Sequence, residues 1–416
     1  MGNRFKSIGR ITSAIIVLLL LFGMVLASIS YIRQNPVEKN FLPPWLGMRT
    51  FLEFGNDPYG EPAAQRTQVL FYGKLAEAGQ DPLSLNQPFA SEILFFPLAL
   101  INDYTTARLV WMVLLELVLI GSAFLCLYLF EWRLPTILIP IYVLVAIFGI
   151  QALLPLFQNS PVIIISLFLM VGLIGLRKGL DELAGVAFAL AFFQPTVTGI
   201  FCLMTFWWVI QNRRWHVIWG TLMTWGFLFV SSFVLLPGWF LSFIRSFRLE
   251  YEYKSYQSTY DILTKLWPSI GNKVAAALTI GLVIILILEW RTTRHKDFRW
   301  FLWTASLTMA TYSLVGIPTL PVNNIVVLIP LTYILKILSE RMGGKKRWLF
   351  IVLLLGLIFV GGWAITLGVQ SLNDEITANL ISIFVPSLLL VAGLYWIRWW
   401  ATCPPRTWMD TIERDL

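Results

Sequence analysis

Leu183-Ala-Gly-Val-Ala-Phe-Ala-Leu-Ala-Phe-Phe-Gln194-Pro-Thr-Val-Thr-Gly-Ile-Phe-Cys-Leu-Met-Thr-Phe-Trp-Trp-Val-Ile210 is a long apolar run broken at its centre by Gln194-Pro195. Read as one membrane span, it would put Arg213 and Arg214 outside. The clusters Arg291, Arg294, Lys296, Arg299 and Arg341, Lys345, Lys346, Arg347 would follow them there. Short basic connections belong on the cytoplasmic side, so the run is read as a re-entrant hairpin. Pro195 lacks a backbone donor and pushes the residue before it out of helical geometry, which sets the turn at Phe193-Gln-Pro-Thr196. Broken helices at membrane depth are tolerated only where they are buried in protein or line a wet cavity. A cavity beside Gln194 is therefore expected.

Working outward, the chain has 416 residues, 57% hydrophobic and 13% charged, with a mean hydropathy of +0.73. Those values exclude a soluble domain. Eleven apolar runs are visible, at 11–31, 104–131, 135–155, 161–176, 183–210, 215–236, 274–290, 300–317, 322–338, 348–368 and 379–397. The first follows Arg4, Lys6 and Arg10 and has the length of a span, not of a signal peptide.

With the hairpin, the prediction is an all-α polytopic membrane protein of about 11 to 12 transmembrane helical pieces. It forms a single integral membrane domain (1–416) in the cytoplasmic membrane with both termini cytoplasmic. The first outer loop is 32–103, with juxtamembrane helices, the second is 237–273, and a cytoplasmic tail covers 399–416. Of the 31 Lys and Arg residues, 20 then lie inside, and the other 11 fall in or beside the two long outer segments. The net charge of +8 is read as topology, and no nucleic-acid partner is expected.

The first outer segment reads Asn35-Pro-Val-Glu38-Lys-Asn40-Phe-Leu-Pro-Pro-Trp45-Leu-Gly-Met-Arg49, then Phe54-Gly-Asn-Asp57-Pro-Tyr59-Gly-Glu61. Gln65-Arg66, Tyr72-Gly-Lys74, Gly79-Gln-Asp81-Pro and Gln87-Pro-Phe89 follow. The second carries Arg245, Arg248, Tyr251, Tyr253, Lys254, Tyr256, Tyr260 and Asp261. Such mixtures suit a sugar phosphate: aromatic faces cover sugar C–H surfaces, Arg or Lys pairs with phosphate, and a carboxylate accepts a hydroxyl proton.

Elsewhere the signals are structural. Cys126, Cys202 and Cys403 show no disulfide or metal spacing, and His216 and His295 read as surface residues. No metal or cofactor is expected. Trp207, Trp208, Trp215, Trp396, Trp399 and Trp400 read as interfacial anchors. Glu116 stands alone within a span, where a carboxylate costs ~2.5–3.5 kcal/mol, and reads equally as a helix contact or a functional group.

Taken in order, several stretches resemble the GT-C superfamily, specifically the polyprenol-phosphate-mannose-dependent mannosyltransferases of glycosyltransferase family 87. They are Asn40-Phe-Leu-Pro-Pro-Trp45, Gly55-Asn-Asp57-Pro-Tyr59, Tyr72-Gly73, Gln87-Pro-Phe89 to Phe96-Pro97, Gln158-Asn159, Arg177-Lys-Gly, Ala184-Gly185, Gln194-Pro195, Arg213-Arg214-Trp215 and Pro321-Val-Asn-Asn324. The resemblance implies an inverting transferase on the outer face, moving a sugar, mannose in the family pattern, from a polyprenyl-phosphate donor to a lipid or glycan acceptor.

Two positions depart from that pattern. The family's loop aspartate aligns with Asn40, and its hairpin lysine aligns with Gln194. An amide cannot act as a general base, and a neutral Gln lacks the pull of Lys on phosphate. Asp57, ahead of Glu38, is the candidate replacement base. Asn40, Arg49, Tyr59, Arg66, Gln158, Asn159, Gln194, Arg245 and Arg248 are the candidate substrate-binding residues. Membrane lipids are expected around the chain. The alternatives are a transporter or flippase of a lipid or sugar, and a non-catalytic relative that binds lipid-linked sugar.

Overall fold

A computed structural model describes residues 2–253, 258–342, 346–370 and 375–403, and the regular elements among them are all helical. Lys254 and Tyr256 of the second outer segment, Lys345, and residues 404–416 of the predicted tail lie outside the described residues. After α1 (Gly2–Gln34), the predicted outer segment holds four helices, α2 (Leu42–Phe54), α3 (Glu61–Tyr72), α4 (Phe89–Glu92) and α5 (Phe96–Ala99). Then come α6 (Tyr104–Leu129), the pair α7 (Ile139–Phe148) and α8 (Ile150–Phe157), and α9 (Val162–Lys178). Helices α10 (Asp181–Ala191) and α11 (Pro195–Gln211) precede α12 (Trp215–Leu235), α13 (Trp239–Tyr253), α14 (Thr259–Leu266), α15 (Gly271–Thr292) and α16 (Phe298–Thr311). A 3-10 stretch, Pro321–Val327, leads into α17 (Leu328–Arg341), and α18 (Lys346–Gln370) and α19 (Glu375–Thr402) complete the bundle.

Each predicted apolar run is occupied by helix, but the helices differ in reach. Among the described residues, seven are long and apolar enough to cross a bilayer, in α1, α6, α12, α15, the Pro321–Arg341 stretch, α18 and α19. An eighth arises if α7 and α8, which bend by 50° within the run read as a single span at 135–155, count as one. The break is at Gly149, whose extended backbone caps one helix and starts the next. Helices α9, α10, α11 and α16 have 17, 11, 17 and 14 residues, short of the ~20 of a full crossing. Helix α19 continues to Thr402, past residue 399 where the tail was expected to begin.

The segment 181–211 leaves one end of the bundle and returns to it. Arg214 Nε donates to Asp181 Oδ2 at 3.2 Å, and its NH2 donates to the Leu176 carbonyl at 2.8 Å. The end of α9, the start of α10 and the start of α12 therefore meet. The same end collects Glu131, paired with Arg177 at 2.7 Å, and through Trp132 Nε1 donating to Ser339 Oγ it collects the end of α17.

Helix α12 then runs parallel to α10 at close range. A Cβ on Gly185 would lie 2.2 Å from the Val217 carbonyl oxygen, and one on Gly220 would lie 2.5 Å from the Glu182 carbonyl oxygen. Thr221 Oγ1 donates to the Gly185 carbonyl at 3.0 Å and Trp225 Nε1 to that of Ala189 at 3.2 Å. Small residues permit this approach, as at other intramembrane helix contacts.

One contiguous apolar core links the bundle to the 35–103 segment. Glu116 is buried in it and accepts a hydrogen bond from Ser28 Oγ at 2.5 Å, which ties α1 to α6. Trp215, Trp396 and Trp399 are exposed, as anchoring requires, whereas Trp208 is buried against Phe301 with ring centroids 4.4 Å apart. Trp208 is thus a core residue, because the start of α16 covers it.

Candidate functional site

The motif Asn40-Phe-Leu-Pro-Pro-Trp45 opens α2 with prolines in its first turn, where a missing N–H costs nothing. Phe41 is fully buried, with Phe95, Tyr104 and Trp111 around it, and Trp45 Nε1 donates to the Leu98 carbonyl at 3.0 Å. These anchors fix Lys39, Asn40, Pro43 and Pro44 as one wall of a cavity of about 230 Å³.

A second wall is the connection between α8 and α9, with Gln158, Ser160 and Pro161. Asn40 Nδ2 donates to the Gln158 carbonyl at 3.0 Å and locks the two walls together. Phe193, Gln194, Pro195 and Thr196, the break between α10 and α11, form a third. The cavity expected beside Gln194 is thus present. Phe243 and Phe247 of α13 and Leu320, Val322 and Asn323 at the head of the 3-10 stretch close it.

Lys39 and Asp81 are the charged residues among those lining this cavity. Lys39 Nζ lies 2.8 Å from Asp81 Oδ2, and Asp81 Oδ1 accepts the Leu83 N–H at 2.9 Å. Ser84 Oγ, also on the lining, is buried without a hydrogen-bond partner among the described residues. The Gln194 backbone carbonyl caps the start of α11 by accepting the Val197 and Thr198 N–H groups. Its side-chain amide makes no hydrogen bond among the described residues and so is available to a ligand. A carboxylate, an ammonium and several amides lining one half-open cavity can bind a phosphate and accept a proton.

The structure brings Asn40, Gln158 and Gln194 together here, and places the other predicted residues elsewhere. Asp57 makes a turn: Oδ1 accepts the Tyr59 N–H at 2.9 Å, and Oδ2 accepts from Ser242 Oγ at 2.7 Å. Tyr59 is buried against Phe243, its hydroxyl donating to the Gln87 carbonyl at 2.5 Å, and burial raises its pKa. Glu38 lies 3.9 Å from the buried Arg108, and burial raises its carboxyl pKa although Arg108 opposes the rise.

Asn159 is fully buried with φ of 53°, its carbonyl accepting Trp111 Nε1 at 3.0 Å. Arg245 and Arg248 lie on the exposed face of α13. Arg49 and Arg66 line a separate groove between α2 and α3. Sequence reasoning passed over Lys39 and Asp81 as a pair because no spacing links them, and over Glu92. Glu92 is fully buried in α4 with no hydrogen-bond partner among the described residues for either carboxylate oxygen, and burial raises its pKa well above the ordinary range.

An all-helical, multi-pass membrane protein with a polar cavity between a helical loop and a broken helix pair is the class this geometry defines. The family model for glycosyltransferase family 87 matches residues 85–318, more than half of the chain, and the chain belongs to that family. It is a membrane glycosyltransferase by family. No curated protein and no solved structure matches the chain.

Proposed function

We propose that this chain moves a sugar, mannose in our reading, from a polyprenyl-phosphate donor to a hydroxyl of a lipid or glycan acceptor at the outer face of the cytoplasmic membrane. The observation that carries the reading is the meeting of Lys39, Asp81 and the unbonded Gln194 amide in one cavity. Asp57 is engaged in its turn and Glu38 faces Arg108, so the proposed base is Asp81.

Lys39 and Asp81 neutralise each other across their 2.8 Å contact. A donor phosphate draws the Lys39 ammonium to itself and leaves the Asp81 carboxylate open to an acceptor hydroxyl. The acceptor oxygen attacks the anomeric carbon as its proton passes to Asp81. The bond from that carbon to the phosphate oxygen breaks, and the electron pair leaves on the polyprenyl phosphate, whose growing charge Lys39 and the Gln194 amide meet. Attack opposite the leaving group inverts the anomeric centre. Phe243 and Phe247 offer apolar faces to the sugar.

The same reading orients the bundle. Taking α10 and α11 as the re-entrant hairpin and both termini as cytoplasmic, the end holding Arg177, Lys178, Arg213 and Arg214 faces the cytoplasm. The cavity then lies beneath the first outer loop, 32–103, with the second, 237–273, beside it. Incubation of the purified protein with labelled polyprenyl-phosphate mannose and membrane lipid extract tests the proposal. Transfer that disappears in Asp81→Asn supports it, and donor binding without turnover in the wild type would instead identify a non-catalytic binder.

A further inference from the structure

A second depression, of about 570 Å³, lies between α2 and α3 and shares no lining residue with the cavity. Its α2 wall includes Arg49, Thr50 and Glu53, and its α3 wall includes Arg66, Val69 and Leu70. Residues three and four apart share a helix face, so each helix turns one face to the groove. Arg49 is fixed there: its guanidinium donates to the Ile101 carbonyl and Asn102 Oδ1, both at 3.1 Å, and pairs with Glu53 at 2.5 Å. Since Asn102 stands just before α6, these bonds hold the groove at the level where a membrane-crossing helix begins.

Two features ask for a ligand. Thr50 is 1% exposed, and its Oγ1 has no hydrogen-bond partner among the described residues. Buried helical threonines usually donate to the carbonyl four residues back, as Thr67 does to Ala63 at 2.9 Å, and a buried hydroxyl left unpaired is unfavourable. Arg66 lies 4.5 Å over the Phe54 ring, and among the described residues no carboxylate is within ion-pair distance of it. Two guanidiniums against the single Glu53 carboxylate leave the groove positive.

Beside these groups Val69, Leu70 and Leu75 are each about half exposed, at 48%, 52% and 52%. A free anion has no use for that apolar surface. A molecule with an anionic head and a hydrocarbon chain uses both parts.

We propose that the groove between α2 and α3 binds the headgroup of an anionic membrane phospholipid. Arg66 and the Thr50 hydroxyl hold the phosphate, Arg49 adds positive charge from its fixed position, and an acyl chain covers Val69, Leu70 and Leu75. This site is independent of sugar transfer.

Native mass spectrometry of the full chain, delipidated and titrated with phosphatidylglycerol or phosphatidylcholine, tests it without reference to activity. The expected result is that phosphatidylglycerol, which lacks the choline cation that this positive groove repels, binds about tenfold more tightly, the scale of one charge-assisted contact; Arg66→Ala reduces that preference, and Thr50→Val weakens both lipids alike, since both carry the phosphate. Arg66→Lys should retain most of the preference. Equal retention of the two lipids by the wild type, or full displacement of phosphatidylglycerol by inorganic phosphate, would overturn the proposal. Because the lipid comparison needs only the wild-type protein, the outcome does not depend on how any variant folds.

Discussion

Replacing Asp81 by Asn separates a chemical role from a structural one, because the two predict very different losses. The substituted amide keeps an oxygen to accept the Leu83 N–H, so the turn that positions it survives. What is lost structurally is the pair with Lys39, whose side chain is 42% exposed. Solvent screening holds such a pair to about 0.2–1 kcal/mol. What is lost chemically is the proton acceptor, worth about 10²–10⁴ in rate, or ~2.7–5.4 kcal/mol of barrier.

The assay is initial-rate sugar transfer by protein in lipid nanodiscs, with thermal unfolding measured on the same preparations. The expected variant unfolds within a few degrees of the wild type and transfers at least about a hundredfold more slowly. A rate equal to wild type would show that Asp81 is not the base, and a rate loss matched by a large loss of stability would make it a structural residue.

Lys39→Ala should raise the donor KM about tenfold, with Lys39→Arg close to wild type, because the lost contact is a charge-assisted bond to phosphate; an unchanged KM would remove Lys39 from the donor site. Asn40→Asp cannot donate to the Gln158 carbonyl and sets two acceptors against each other, so unfolding should shift by ~1–3 kcal/mol, and a faster enzyme of undiminished stability would contradict the structural role given to Asn40. Gly185→Val would push side-chain atoms into the Val217 carbonyl; a cost of ~1–3 kcal/mol and slower transfer are expected, as the α10–α11 break shifts, and an unaltered melting temperature would argue against the close contact of α10 with α12.

Glu92 gives a pH-dependent prediction whose sign follows from its burial. Its folded pKa is raised, so its contribution to stability is complete below the unfolded pKa and is lost as pH climbs through the folded pKa. Melting temperatures from mildly acidic to alkaline buffer should fall more steeply in the wild type than in Glu92→Gln, and parallel slopes would refute the assignment.

Much of the fold was legible because hydropathy reports which stretches are apolar enough to leave water, whether they end against lipid or against other helices. Apolar runs marked the helices, and Pro195 with its basic flanks marked the break at Gln194. The bend at Gly149 was not legible, since a lone glycine in an apolar run does not announce an extended backbone. Trp208 was misplaced for a related reason: interfacial and core tryptophans look alike until a neighbour such as Phe301 is seen.

At the site, Asn40, Gln158 and Gln194 were readable because local motifs frame them. The pairing of Lys39 with Asp81 is a tertiary event that no sequence spacing encodes. Asp57 drew attention for its residue type, yet Asp-Pro-Tyr-Gly is also turn chemistry, and in the structure its carboxylate oxygens are taken up by Tyr59 and Ser242.

The most direct test of the account is a structure of the protein with a non-transferable polyprenyl-phosphate-sugar analogue. The account predicts the phosphate within about 3 Å of Lys39 Nζ, with the Asp81 carboxylate on the opposite side of the anomeric carbon. Phosphate bound at Arg245 and Arg248 instead, or an anomeric carbon facing Asp57 or Glu38, would contradict it.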